Sequence, residues 1–110
     1  MNIYYQNVRG LRTKTLPFRL GVLDSNFEIF ALTETWLNDS ISNSELFVNG
    51  YNVYRRDRGG LNVRGGGVLL AVKNVFKSVR LFNLETEGED IWLKVSVNKS
   101  FSIIFGWPSS

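Results

Sequence analysis

The stretch FEIFALTETWL, Phe27 to Leu37, decides the fold of this chain. Its first part, Phe27 to Glu34, has the apolar content of a mostly buried strand. A carboxylate, Glu34, stands at the end of this strand, and Trp36 and Leu37 follow almost at once. A carboxylate at the C-terminal end of a buried strand is either a minor structural feature or a ligand for a positive group. The rest of the sequence bears on that choice.

The residues before this strand predict a strand–helix–strand unit. The segment NIYYQN, from Asn2 to about Gln6, is typical of a strand because of its aromatic and β-branched content. A helix is predicted from about Leu16 to Ser25, where Thr15 can cap the first turn and Pro17 suits it. Its apolar positions recur at spacings of four and three, at Leu16, Leu20 and Leu23. The two strands of such a βαβ unit run parallel.

The remainder of the chain predicts antiparallel strands. They are Tyr51 to Arg56, Gly67 to Lys73, Val79 to Leu84, Ile91 to Val97 and Phe101 to Gly106. The run GVLLAVK indicates a strand covered on both faces, whereas IWLKVSV alternates and should bury Ile91, Leu93, Val95 and Val97. Residues 38–50 are polar and predicted as a loop. We therefore expect a single mixed α/β domain over residues 1–110, with one βαβ unit followed by mostly antiparallel strands.

Composition excludes several classes of site. The 110 residues include no cysteine, which excludes a disulfide framework and a thiolate metal site, and no histidine, which excludes an imidazole base within the chain. The net charge of +3 is compatible with a polyanionic partner. The longest apolar run, Val68 to Val72, is far shorter than a membrane span, and the N-terminus lacks the apolar region of a signal peptide. These features predict an intracellular protein without membrane contact.

Asn7 and Glu34 are expected to lie at one edge of the sheet. Each follows a strand of the βαβ unit, and ligands of open α/β sheets bind at the carboxyl ends of the strands. An amide and a carboxylate suit a hard divalent cation. The alternative is structural, because an asparagine after a strand is often a turn residue and Glu34 can cap a backbone group or pair with an arginine. Trp36 is expected to pack behind this edge.

Five segments in order resemble one known family. QNVRGLRTK, FEIFALTETWLND, YNVYRRDR, RGGGVLLAVKN and IWLKV look like the N-terminal half of an endonuclease/exonuclease/phosphatase domain. The likeness is to the apurinic-endonuclease-like domains of jockey-type non-LTR retrotransposons. The resemblance implies a truncated portion of a four-layer α/β sandwich. Its implied activity is metal-dependent hydrolysis of DNA phosphodiester bonds.

The resemblance also implies roles for particular residues. Asn7 matches a first-strand asparagine that helps to hold metal and phosphate, and Glu34 matches a glutamate that ligates Mg²⁺ or Mn²⁺. Gln6 and Arg9 flank this pair as supporting residues. Phe105 stands where the family has a tyrosine, and the family's later Asp-x-Asn and Asp-His motifs are absent from the 110 residues. The implied nuclease is thus incomplete, and we expect very little cleavage by this chain alone.

Four arginines fall close together, at Arg55, Arg56, Arg58 and Arg64. One interpretation is contact with the DNA phosphate backbone, for which we select Arg56, Arg58 and Arg64. The other is a solvated loop whose arginines pair with Asp57 or with the acidic segment ETEGED, residues 85–90. Gly65, Gly66 and Gly67 lack the lysine and helix of a phosphate-binding loop, so a tight entry into the next strand is the better account.

Three functions remain open on the sequence. The first is the endonuclease of a retrotransposon, which would act in the nucleus. The second is a transposon-derived remnant that binds polyanions weakly without catalysis. The third, a phosphatase or lipid phosphodiesterase of the same superfamily, is disfavoured by the resemblance of ALTETWL and GGGVLLAV. Because half of a two-sheet fold leaves apolar sheet surface uncovered, self-association is also expected.

Overall fold

A computed structural model of the chain describes residues 2–47, 50–58 and 66–107. It contains one helix and seven strands within these ranges, in a mixed α/β arrangement as predicted. In chain order they are β1 (Ile3–Asn7), α1 (Thr15–Leu23), β2 (Ile29–Thr33), β3 (Tyr51–Arg56), β4 (Val68–Lys73), β5 (Lys77–Arg80), β6 (Ile91–Asn98) and β7 (Phe101–Trp107). Short 3₁₀ turns lie at Asn43–Glu45 and Phe82–Leu84. No helix in the described part of the chain is long and apolar enough to cross a membrane.

The strands form two sheets. The first has the order β1-β2-β4-β3, in which β1 and β2 are parallel and the other neighbours are antiparallel. The second has the order β5-β6-β7 and is antiparallel throughout. The predicted βαβ unit and its antiparallel continuation are therefore confirmed.

The central strands of the first sheet are covered on both faces, and they are apolar at every position except the last residue of each strand. Phe30 of β2 and Leu69 of β4 face a core that includes Val22 of α1. Their neighbours in sequence, Ala31 and Leu70, face the second sheet. The resulting layers are helix and loop, first sheet, and second sheet.

Strand β6 closes the second core through its alternating side chains. Ile91, Leu93 and Val95 are buried, whereas Lys94 is exposed, as the pattern predicted. Val97 departs from the pattern and is only half-buried. The pairing with β7 is shifted between Ser96 and Asn98, so the alternation is interrupted there.

The strand predicted from Val79 to Leu84 is placed wrongly. Strand β5 ends at Arg80, and a 3₁₀ turn follows at Phe82–Leu84. The backbone N–H of Leu84 donates to the carbonyl of Leu81 at 3.0 Å, which bends the chain away from β6. This bend lets Arg80 meet Glu85, whose carboxylate lies 2.7 Å from its Nε.

Helix α1 exists, but two details of its prediction are wrong. Thr15 is the first helical residue instead of the cap, and the cap position is held by Lys14 without a side-chain hydrogen bond. The helix packs on the sheet through Phe18 and Val22, which are four residues apart. The leucines used to predict it are therefore on the solvent side, with Leu16, Leu20 and Leu23 each more than half exposed.

The outer face of the second sheet carries exposed apolar side chains. Val79 of β5 and Ile104 of β7 both stand opposite Lys94 of β6 in the strand register. Val79 is 59% exposed and Ile104 is 61% exposed. Uncovered apolar surface is present, as expected, while self-association through it stays a prediction.

Candidate metal and phosphate site

The parallel pairing of β1 and β2 brings the two predicted site residues to one edge of the first sheet. Asn7, the last residue of β1, stands opposite Thr33, the last residue of β2, and Glu34 is the first residue after β2. The segments that follow the two strands also pair with each other, since the N–H of Gly10 donates to the carbonyl of Glu34 at 2.8 Å. Asn7 is exposed and Glu34 is half-buried. The shared edge predicted from the topology is therefore present.

The backbone at this edge is strained. Among the described residues, the non-glycine residues with positive φ are Arg9 (47°), Glu34 (55°) and Trp36 (55°). Left-handed backbone costs a non-glycine residue about 1–3 kcal/mol and is retained where surrounding structure fixes it. All three lie in the two segments that follow β1 and β2. Such clustering is typical of a site whose side chains must point in a set direction.

The carboxylate of Glu34 is held by neutral donors. Its Oε2 accepts hydrogen bonds from Nε1 of Trp36 at 2.9 Å and from the backbone N–H of Gly66 at 3.1 Å. These two bonds, with Trp36 the larger contributor, and a smaller effect of the Arg58 charge lower the pKa of Glu34, against the opposing effect of burial. Glu34 is therefore ionised at neutral pH. Both of these bonds are made by Oε2.

Trp36 belongs to the site itself, where the sequence predicted only packing behind it. Its indole N–H binds Glu34, and its ring lies against Gly10, so that a Cβ on Gly10 would stand 2.6 Å from Cε3. Gly10 also has a φ of 97°, so glycine is favoured at this position both by the backbone conformation and by the lack of room for a Cβ. The position of Trp36, two residues after the carboxylate, is the one signal in the sequence for this role.

A turn before β4 forms the other wall of the site. The N–H of Trp36 donates to the carbonyl of Gly66 at 3.0 Å, and the N–H of Thr35 donates to that of Gly67 at 3.3 Å. Gly67 has a φ of 89°, and a Cβ there would overlap the Oγ1 of Thr35. Thr35 is fully buried, and its hydroxyl has no hydrogen-bond partner among the described residues. These two glycines act as a tight entry into β4, as predicted, while Gly65 lies outside the described residues. We call Asn7, Glu34, Trp36, Gly66 and Gly67 the Glu34 rim.

The described arginines of the basic cluster are paired with acids. Arg55 lies 2.6 Å from Asp57. Arg56 lies 3.0 Å from Asp90 and 3.8 Å from Glu85. These pairs correspond to the structural alternative left open by the sequence, which named Asp57 and the acidic segment 85–90 as the partners. A role of Arg56 in DNA binding stays a prediction, and Arg64 lies outside the described residues.

Among the described arginines of the cluster, Arg58 reaches the Glu34 rim, where it lies against Gly66. Its Nε donates to Oε1 of Glu89 at 2.8 Å, and its side chain is 51% exposed. Its charge contributes to the lowered pKa of Glu34, after the larger contributions of the bonds from Trp36 and Gly66. The predicted contact of Arg58 with DNA also stays a prediction.

The oxygens of the rim fit a cation that keeps most of its water. Glu34 supplies one carboxylate, and Asn7 supplies an amide oxygen that accepts only a long bond, 3.3 Å, from the N–H of Arg9. Within residues 2–47, 50–58 and 66–107, no three acidic, histidine or cysteine side chains form a metal-binding group. Mg²⁺ is commonly bound by one or two carboxylates, with waters and substrate phosphates completing its shell. The donor set is compatible with that type of site.

The fold is shared with a solved enzyme structure. The AP endonuclease LMAP from Leishmania major superposes with a TM-score of 0.68 at 20% sequence identity, over 94% of this chain. The chain spans 38% of the length of that protein. No protein-family model and no curated protein matches the sequence. The comparison shows an AP-endonuclease-like α/β fold.

Proposed function

We propose that this chain provides the Glu34 part of a divalent-metal-dependent site that hydrolyses phosphodiester bonds of DNA. The observation that carries the proposal is the Glu34 rim. There an ionised carboxylate, oriented by neutral donors on strained backbone, stands beside Asn7 at the carboxyl ends of parallel strands. The fold shared with an AP endonuclease supports DNA as the substrate.

Each residue of the rim would have a defined task. Glu34 would hold Mg²⁺ or Mn²⁺ through Oε1, while Trp36 and Gly66 fix the carboxylate through Oε2. Asn7 would orient the cation or a phosphate oxygen with its amide. When bound, the metal supplies electrostatic stabilisation of charge on the phosphate. The 110 residues contain no histidine, so an imidazole base would have to come from another chain or segment, and we expect very little cleavage by this chain alone.

A DNA-binding assay with and without metal tests this function. Fluorescence anisotropy of a labelled duplex should show binding that strengthens when Mg²⁺ is added, and Glu34→Gln should abolish the strengthening. Glu87→Gln removes the same charge from an exposed position and is the matched control. Efficient nicking of supercoiled plasmid by the wild-type chain, lost in Glu34→Ala, would refute the expected inactivity. Binding that ignores both Mg²⁺ and Glu34 would refute the metal-dependent function.

The second candidate is a non-catalytic chain that binds polyanions weakly. The net charge of +3 and the half-exposed Arg58 favour it. This candidate predicts a DNA affinity that does not depend on metal, decreases with increasing salt concentration and is lower in Arg56→Ala and Arg58→Ala. The same anisotropy titration, repeated at two salt concentrations, separates the two candidates.

We also propose that the chain derives from a non-LTR retrotransposon of the jockey type and acts on DNA in the nucleus. The five segments that resemble such domains support this origin. Sequencing of the genomic DNA around the coding region tests it, since an adjoining in-frame reverse transcriptase is expected.

A further inference from the structure

Arg58 lies directly over the turn that binds Glu34. Its guanidinium is so close to Gly66 that a Cβ on this glycine would overlap Nε and Cζ and would stand 2.5 Å from Oε1 of Glu89. Gly66 also has a φ of 71°. A side chain at residue 66 is therefore excluded by the Arg58–Glu89 pair as well as by the backbone.

Two carboxylates bind successive amides of this turn. The N–H of Gly66 donates to Oε2 of Glu34 at 3.1 Å, and the N–H of Gly67 donates to Oε2 of Glu89 at 3.1 Å. The other oxygen of Glu89 accepts the bond from Arg58 at 2.8 Å. Glu89 is thus fixed at both oxygens, and it fixes the guanidinium in turn. The arrangement places the Arg58–Glu89 pair on the same turn that binds the Glu34 carboxylate, at the edge of the proposed metal site.

We propose that Arg58 is a resident counter-cation of Glu34, that Glu89 positions it, and that it competes electrostatically with a divalent cation for this carboxylate. The inference rests on the proposed function, because it concerns the affinity of the same site. A guanidinium near Glu34 stabilises the carboxylate when no metal is present and repels an incoming cation. The close approach of the guanidinium to Gly66, whose N–H binds the Glu34 carboxylate, supports this placement.

The test is a titration of the purified chain with Mn²⁺, followed by the electron paramagnetic resonance signal of the free ion. Arg58→Gln should bind Mn²⁺ about three- to tenfold more tightly than wild type, since one repelling charge near the site is lost. Arg58→Lys keeps the charge and should stay close to wild type. Arg56→Gln removes the same charge from a pair with Asp90, so it controls for net charge and should also stay close to wild type. Circular dichroism of each variant verifies folding.

The outcomes separate this inference from the proposed function. Tighter binding in Arg58→Gln alone, abolished by adding Glu34→Gln, supports both. Glu34-dependent binding that is unchanged or weaker in Arg58→Gln overturns the counter-cation role and leaves the metal site standing. Equal tightening in Arg56→Gln would show a general charge effect and also overturns it. Absence of Glu34-dependent binding in every variant overturns the metal site together with the inference.

Discussion

Two carboxylates with lowered pKa values are held in opposite ways. Glu85 accepts bonds from Nε and a terminal nitrogen of Arg80 at 2.7 and 2.9 Å, with Arg56 also nearby at 3.8 Å. We call Arg56, Arg80, Glu85 and Asp90 the Glu85 cluster. Its arginines neutralise the acid, and the Glu85 side chain is only 8% exposed. Glu34 is instead fixed by an indole and a backbone amide, which orient it without cancelling its charge.

The difference separates an acid that stabilises the fold from one whose charge is available to the proposed cation. A carboxylate that is neutralised by arginines stabilises the fold and has little attraction left for a cation. A carboxylate held by neutral donors keeps its charge, which the half-exposed Arg58 partly offsets. The lowered pKa is thus the same in direction at both places, but its largest cause distinguishes them.

Removal of Glu85 should have the largest effect on stability. Glu85→Ala leaves Arg80 without its partner in a mostly buried place, and breaking such a pair costs about 3 kcal/mol. Glu34→Ala should cost less, about 1–2 kcal/mol, because it removes two hydrogen bonds from neutral donors but leaves no buried charge without a partner. Urea denaturation of both variants measures the two free energies of unfolding. Equal losses would remove the distinction between the two acids.

Substitution of Gly67 tests whether the Glu34 rim depends on its backbone path. Gly67→Ala combines a φ of 89° with an overlap against Thr35 Oγ1, so the free energy of unfolding should fall by about 2 kcal/mol. Gly50→Ala is the matched control, with a φ of 114° but no atom within 4 Å of the new Cβ. It should cost about 1 kcal/mol. Thermal denaturation measures the loss of stability in each variant, and the difference between the two losses is the contribution of the overlap with Thr35. A Gly67→Ala protein as stable as Gly50→Ala would contradict such a contribution.

Acid should reduce the contributions of both Glu85 and Glu34 to the free energy of unfolding. The folded pKa of Glu85, and that of Glu34, lies below its ordinary value of 4.5, so each group adds stability above that value and loses it as pH falls through the folded pKa. The wild-type free energy of unfolding should therefore decline below about pH 4.5. Glu34→Gln should show a shallower decline than wild type in urea titrations across this range. A steeper decline would mean that the carboxyl is destabilising when ionised.

Gly21→Ala should give the smallest effect and leave the comparison intact. Gly21 lies within α1 with no atom within 4 Å of a new Cβ, and alanine is the better helix former. The free energy of unfolding should rise by about 0.5–1 kcal/mol, with no change in Mn²⁺ affinity. Calorimetry and the Mn²⁺ titration measure the two quantities. A loss of stability would indicate that neighbouring atoms contact a side chain at residue 21, contrary to the open space around Gly21.

The sequence predicts those parts of the molecule that follow from local pattern and from topology. The sharing of an edge by Asn7 and Glu34 follows from the parallel strands of a βαβ unit, and the burial of β4 follows from its unbroken apolar run. The role of Trp36 could not be predicted in this way. It depends on left-handed backbone at Glu34 and Trp36, which neither residue type favours.

Long-range pairing is the other limit of prediction. Arg58 and Glu89 are 31 residues apart, and their contact follows from the packing of the two sheets. The leucines of α1 were wrongly predicted to face the core for a related reason. Their spacing identifies an apolar face of the helix, but it does not say which face packs on the sheet. Phe18 and Val22 form an equally regular pair and are the ones that pack.

Two indole resonances offer the most direct test of the claim that the Glu34 rim is the cation-binding site. Nε1 of Trp36 donates to Glu34, and Nε1 of Trp92 donates to Asp90 of the Glu85 cluster at 3.1 Å. In a ¹⁵N-correlated NMR spectrum, substoichiometric Mn²⁺ should broaden the Trp36 indole peak first and leave that of Trp92 intact. Earlier loss of the Trp92 peak, or equal loss of both, would contradict the assignment of the site to Glu34.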